Sequence, residues 1–345
     1  MNKAKKGSKP KSDELLKQVK KLCEKEGTKG WKLAQETMLS HKTCAAQLQE
    51  AINYIMIEYK PEFFRPAVLS LCSEAVSGDP DNTVPFGASL VLLARAIGIH
   101  DDIIDRLKIR NKRRTLFGKF GINIALILSD VLLFEGFTLM RKNSELEVSQ
   151  QAMNEILETI DRIWFEQSEG EIFEIQSRKQ ENATPQACLA KISMRSSELE
   201  AITRIGGILG GGSQREINNL GKFGRSLGII SLLRDEIIDM LEFDVLRHRI
   251  RSESLPLPVI YAMQNFKARS KIMLLLSKRK LTVADLKKIS KVTDNAGGID
   301  YAAGIIKDEI RKACSYVDMF KSRREELKLL ATSVAIEPEE WKALL

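Results

Sequence analysis

Three carboxylates fall within one helical turn at Asp101, Asp102 and Asp105, in the stretch from Gly98 to Arg106. Residues four apart on a helix lie one above the other, so Asp101 and Asp105 share a face, with Asp102 beside them. Two such charges about 4 Å apart repel by roughly 4 kcal/mol at a near-surface effective dielectric, so the cluster calls for a cation. A second cluster, Asp235, Glu236 and Asp239, repeats the same spacing. Carboxylates converging from two facing helices suit a hard, oxygen-loving ion such as Mg²⁺, which keeps several waters and is completed by substrate phosphates. Diphosphate chemistry is therefore the reaction class the pattern points to.

The elements that would position these groups are helices. Phe86, Leu90, Leu93, Ala94 and Ile97 recur at helical spacing and lead into the first cluster, and the apolar run Leu227 to Leu233 leads into the second. Directly after the first cluster comes the polar stretch Lys108 to Lys119, whose Arg110, Lys112, Arg113 and Arg114 are candidates for a phosphate clamp. Further helices are expected over Asp13 to Glu26, Trp31 to Leu39, Cys44 to Ile57, Phe63 to Cys72, Gly121 to Met140, Gln151 to Gln176, Pro185 to Gly212 and Val259 to Asn265. Strand-like alternation is absent, so the fold class is all-α, a single large helical bundle over residues 13–345. Residues 1–12, rich in Lys, Gly, Ser and Pro, are expected to be a disordered basic tail.

Composition narrows the function further. The five cysteines are odd in number and scattered, with no C-x-x-C pair, which excludes a disulfide framework and suits a reducing cytoplasm. His41, His100 and His248 have no second histidine or cysteine at ligand spacing, which argues against zinc. The net charge of +8 resides mainly in the first 21 residues, where eight lysines face only Asp13 and Glu14, so nucleic acid is not an expected partner. No secretory leader is visible, and no uninterrupted apolar run reaches the roughly 18 residues of a transmembrane helix.

From about Tyr59 to the C-terminus the chain resembles the trans-isoprenyl diphosphate synthases of the farnesyl and geranylgeranyl diphosphate synthase type. The motif DDxxD, which in that family holds the Mg²⁺ that grips an allylic diphosphate, stands here as Asp101, Asp102 and Asp105. The second motif, FQxxDDxxD, appears as Ser231 to Asp239 and keeps Asp235 and Asp239 as its metal-binding acids. Arg110 matches the first of the two arginines that follow the first motif. Arg195-Ser196 resembles the family's Lys-Thr pair, Gly170 to Glu174 its Gly-Gln-x-x-Asp, and Leu257 to Ala262 its Leu-Pro-x-x-Tyr-Ala. The lysine before that last motif falls near Ser254, where Arg249 or Arg251 could substitute.

The resemblance implies a Mg²⁺-dependent, homodimeric prenyltransferase. Asp101, Asp105, Asp235 and Arg195 would be catalytic, and Arg65, Arg110, Arg195 and Ser196 would bind an allylic diphosphate and isopentenyl diphosphate. The departures cluster where the family holds isopentenyl diphosphate: Glu62 stands for the lysine of Gly-Lys-x-x-Arg, whose arginine is kept as Arg65, while Ala94 replaces a histidine and Asn111 the second arginine. Arg95, Arg113 or Arg114 could rebuild that site. Two other readings stay open: a class I terpene cyclase, although Asp235, Asp239 and Phe243 lack the cyclase pattern, and a non-catalytic helical subunit. In the family, bulky residues just before the first motif limit product length. Ala96 and Ile97 occupy those positions and point to products longer than farnesyl diphosphate.

Overall fold

The computed structural model describes residues 11–110, 112–142, 148–178 and 183–333. The expected tail therefore lies outside the described residues, except that Lys11 and Ser12 already belong to the first helix, α1 (Lys11–Ser40). The sequence predicts two helices here, parted near Gly27 and Gly30, yet one continuous helix forms. The glycines serve packing instead of a break. A Cβ at Gly27 would lie 2.1 Å from the carbonyl oxygen of Phe63, and one at Gly30 would lie 2.8 Å from Cβ of Pro66, so α3 (Phe64–Ala75) crosses α1 at backbone distance.

Between these helices lies α2 (Ala46–Asn53), which passes into a single π turn, Tyr54–Glu58. Next comes α4 (Val84–Ile104), opened by a proline in its first turn, where the missing N–H costs nothing. This helix is apolar on two sides. Phe86, Leu90 and Leu93 belong to one core, while Val91, Leu92, Ala96 and Ile99 belong to another that includes Trp31, Met38 and Leu128. The second core is closed by α5 (Leu116–Lys142), which bends at Gly121, where φ is 81°.

Ahead of α5 the expected irregular stretch is a short antiparallel hairpin, β1 (Ile109–Arg110) with β2 (Arg113–Arg114), the sole strands among the described residues. The two-residue strands are too short for alternation to register. Then follow α6 (Gln150–Ser177), α7 (Pro185–Arg195) and α8 (Ser197–Leu209). The last two were expected as one helix; they part at Ser196.

A long buried stripe belongs to α9 (Gln214–Asp239). A capping box starts it: Ser213 and Glu216 satisfy each other's backbone N–H groups. Ile217, Leu220, Phe223, Leu227, Ile230, Leu233 and Ile237 then form its inner face. It packs on α8 and on α14 (Gly298–Val317). A third core gathers α10 (Phe243–Ser252), α11 (Leu257–Ala262), α12 (Phe266–Leu276) and α13 (Val283–Asn295), and α15 (Arg324–Thr332) is the last helix among the described residues.

Uninterrupted apolar runs are not the whole measure of membrane-spanning capacity. Two helical stretches, Pro80–Ile104 and Leu116–Arg141, are long and apolar enough by mean hydropathy, with 61% and 33% of their apolar windows buried in the fold. The first is a core helix. The second leaves Ile122, Leu126, Phe134 and Phe137 exposed.

The crossing of α1 and α3 is directly testable. Gly27→Ala should lower the urea midpoint, at about 1–3 kcal/mol for an overpacked contact, despite its better helix propensity. Gly304→Ala, on the exposed side of α14 with nothing within 4 Å, should raise it, as about 0.5–1 kcal/mol of added stability does. Equal shifts in the two variants would show that Gly27 is not held by contact.

Candidate active site

Both acidic clusters sit at the C-terminal ends of buried helices, α4 and α9. The negative end of a helix dipole disfavours further negative charge, so neither cluster is placed there for stability. Burial adds to the cost. It pushes the carboxyls of Asp101, Asp105 and Asp239 up to about 6, with Asp105 raising Asp101 further, Glu253 raising Asp105 and Asp235 raising Asp239. Asp102 and Asp235 are raised as well, again chiefly by loss of water.

Arginines from four elements offset this charge. Arg110 on β1 donates to Oδ1 of Asp102 from Nη2 at 2.8 Å and Nε at 3.2 Å. Its guanidinium also pulls down Asp101 and, across the cleft, Asp235, so one cation feels both clusters. Hydrogen bonds fix the hairpin that carries it: Thr115 donates to the carbonyl of Leu107 at 2.7 Å, and Tyr54 and Tyr59 donate to the carbonyl of Arg114 at 2.6 and 3.1 Å. Arg178, at the end of α6, donates to Asp105 at 2.6 Å. Arg249 on α10 is enclosed by Asp239 at 3.0 Å, Glu236 at 3.2 Å and Glu253 at 3.3 Å. Arg195 stands 3.6 Å from Glu171 and lowers Asp101 through space. Asp101 alone of the first cluster has no ion pair within 4 Å among the described residues.

Several expected roles change. Ser196 is buried and donates to the carbonyl of Ile192 at 2.5 Å, where it joins α7 to α8, so it does not present a hydroxyl to substrate. Ala96 is fully buried against α5; Ser129 on that helix donates to its carbonyl at 3.1 Å and meets His100 at 2.8 Å, so this side of α4 is a packing seam and not a pocket wall. Ile97, one turn before Asp101, is half-buried on the carboxylate side. Arg249 clamps carboxylates instead of replacing the missing lysine. Glu236, the middle acid of the second cluster, is turned inward and accepts from the backbone N–H of Leu257 at 2.9 Å.

Sequence reasoning missed Arg178, the Arg249 clamp and a buried triad below it. Glu174 pairs with Lys191 and accepts from Ser254 through the backbone N–H at 2.7 Å and the hydroxyl at 2.9 Å, which holds its carboxyl down at about 2. Motif alignment placed Glu174 and Ser254 in the right neighbourhood, but nothing local marked Lys191.

A cavity of about 230 Å³ adjoins the first cluster, bounded by Tyr59, Glu62, Arg65, Arg95, Asp101 and Arg110. Here Arg65 is engaged by Glu198 through two hydrogen bonds, 2.7 and 3.1 Å, and by Glu62 at 3.2 Å. Glu62 also accepts the backbone N–H groups of Phe64 and Arg65, which caps α3 and explains its place at a helix start. Ala94 lines the same cavity; Asn111 lies outside the described residues.

The donor set fits a hard divalent ion, because it is made of carboxylate oxygens that burial has partly stripped of water. Among the described residues no three acidic side chains close on one point, so any such ion needs water and substrate oxygens to complete its shell.

Residues 45–293 match the polyprenyl synthetase family profile. A short chain isoprenyl diphosphate synthase from Methanothermobacter thermautotrophicus is 26% identical over 281 residues, covering 78% of this chain and 84% of that protein. A geranylgeranyl diphosphate synthase from Methanosarcina mazei is 24% identical over 82% of this chain and 87% of its own length. A geranylfarnesyl diphosphate synthase from Aeropyrum pernix is 23% identical, over 79% and 89%. The crystal structure of a geranylgeranyl pyrophosphate synthetase from Pyrococcus horikoshii shares the fold with a TM-score of 0.82, at 23% identity, over 95% of this chain and all of that one.

The raised carboxyls set a sign for stability against pH. Their folded values near 6 exceed the ordinary 3.8, so the folded chain binds protons that the unfolded chain does not. Their contribution is fully present below about 3.8 and lost as pH rises through about 6. Without divalent ions, the melting temperature should fall across that window as pH rises, and Asp101→Asn with Asp105→Asn should flatten the fall. A wild-type slope unchanged in the double variant would remove these carboxyls as its source.

Proposed function

This chain belongs to the polyprenyl synthetase family of trans-prenyltransferases, and we propose on that premise that it condenses an allylic diphosphate with isopentenyl diphosphate. The observation that carries the reading is the pair of acidic clusters at the C-terminal ends of α4 and α9, with Arg110 hydrogen-bonded to Asp102 in the first of them. Asp101, Asp102 and Asp105 on one side and Asp235 and Asp239 on the other would hold Mg²⁺, which when bound neutralises diphosphate oxygens and assists departure of pyrophosphate. Arg110 and Arg195 supply fixed positive charge where the leaving group's charge grows, and the half-buried cleft around them weakens competition from water.

Products longer than farnesyl diphosphate fit Ile97, which brings no ring to the carboxylate side of α4, and fit the products named for the archaeal relatives. Free cysteines suit the cytoplasm. The exposed apolar residues of α5 suit a homodimer; light scattering should give twice the chain mass, and Phe134→Glu should return it to one chain. A single-chain mass for the wild type would remove the dimer.

A second reading draws on Arg65. With that guanidinium taken by Glu62 and Glu198, the same site could ionise an allylic diphosphate without a diphosphate acceptor.

Purified protein incubated with Mg²⁺, allylic diphosphates and isopentenyl diphosphate tests both. The proposal expects a lengthened prenyl diphosphate; pyrophosphate release with no lengthened product would favour the second reading. Asp101→Asn and Asp235→Asn should each lower turnover by about 100-fold or more without lowering the melting temperature, because each removes a charge from a strained cluster and no packing group. Full activity in either variant would displace that residue from the site.

A further inference from the structure

The cavity beside the first cluster lacks the usual freedom of a diphosphate site, because Arg65 is shared by two carboxylates and Arg110 by one. Any anion entering there meets Glu62 and Asp101 as well. Positive charge must come from elsewhere.

Two guanidinium groups meet that need around a single ring. Arg95 reaches from α4 to lie 5.5 Å from the ring centre of Tyr59 and 5.5 Å from that of Trp31, and it borders the cavity. Arg113 reaches from β2 to lie 5.8 Å from the same Tyr59 ring. Among the described residues neither forms an ion pair within 4 Å, in contrast to Arg65, Arg110, Arg178 and Arg249. Arg95 donates from Nη2 to the carbonyl of Lys60, while its buried Nε finds no acceptor. A buried guanidinium N–H left without an acceptor is costly, and a bound anion is an ordinary remedy. Aromatic faces on Trp31 and Tyr59 hold such a cation in place without neutralising it.

We infer that Arg95 and Arg113, gathered around Tyr59, hold the diphosphate of the acceptor substrate in this cavity in place of Arg65. The inference rests on the condensation proposed above and names its acceptor-binding residues. The ligand class is a homoallylic diphosphate. Guanidinium groups suit it, since each presents several N–H donors in one plane to phosphate oxygens. Glu62 and Glu198 then act as a restraint: they keep Arg65 out of the contact, so the acceptor is held further toward Tyr59 and the hairpin.

The test uses the full chain with Mg²⁺. Calorimetric titration with isopentenyl diphosphate gives its Kd, and steady-state kinetics give KM for each substrate separately. Arg113→Gln, on the exposed hairpin, should weaken isopentenyl diphosphate about tenfold, as loss of one charge-assisted contact does, with KM for the allylic diphosphate within about twofold. Arg95→Gln should do the same, and Arg95→Lys should restore part of the loss if charge is what matters. Melting temperatures separate this from loss of the Trp31 and Tyr59 packing, and Arg113→Gln keeps the inference testable should Arg95→Gln unfold. Glu62→Gln, which retains an oxygen for the α3 cap, should tighten acceptor binding. If the wild type binds isopentenyl diphosphate and Arg95→Gln and Arg113→Gln bind it equally well, the inference is overturned and the condensation stands. If the wild type releases pyrophosphate from an allylic diphosphate but neither binds nor consumes isopentenyl diphosphate, the inference falls together with the acceptor reading.

Discussion

The structure is organised around an electrostatic conflict: carboxylates crowded at the negative ends of two helices, in a partly dehydrated cleft. Each element nearby answers it. The hairpin exists to bring Arg110 onto Asp102, the end of α6 delivers Arg178 to Asp105, and α10 turns Arg249 inward to Asp239 and Glu236. The cores beneath supply the rigidity that this arrangement needs, since a loosely packed α4 or α9 would let the charges drift apart into water. Apolar packing on both sides of α4 and the long inner stripe of α9 prevent that relaxation. A fold optimised for stability alone would place these acids at helix starts, where the dipole favours them.

How much of this was legible in the sequence depends on the range of the interaction. Helical periodicity revealed α4, α6 and α9, because each buries a face whose spacing is local. The breaks were harder. Gly27 and Gly30 read as a helix boundary, but their purpose is to admit Pro66 and the Phe63 carbonyl, partners more than 30 residues away. Ser196 read as part of a continuous helix and as a substrate ligand, since its backbone bond to Ile192 and its burial are invisible until α7, α8 and α9 pack.

In the proposed site, acids and the nearest arginine were readable from spacing and from family resemblance. Their counter-ions were not. Arg178 follows Asp105 by 73 residues and Arg249 follows Asp239 by 10 across a turn, with no pattern linking either pair. Ala96 shows the converse error. Position relative to a motif placed it in a pocket, whereas the orientation of α4 turns it, with His100, toward Ser129.

The pairing of Arg110 with Asp102 and of Arg178 with Asp105 makes these arginines place-holders. In the proposed reaction, a divalent cation that took those carboxylates would release the guanidinium groups toward phosphate oxygens. Metal and diphosphate binding would then be coupled in free energy, and coupling is reciprocal: each would raise the affinity for the other by the same factor. In such an arrangement the two ligands arrive as partners in an ion exchange, and neither alone gains the full benefit of the cleft.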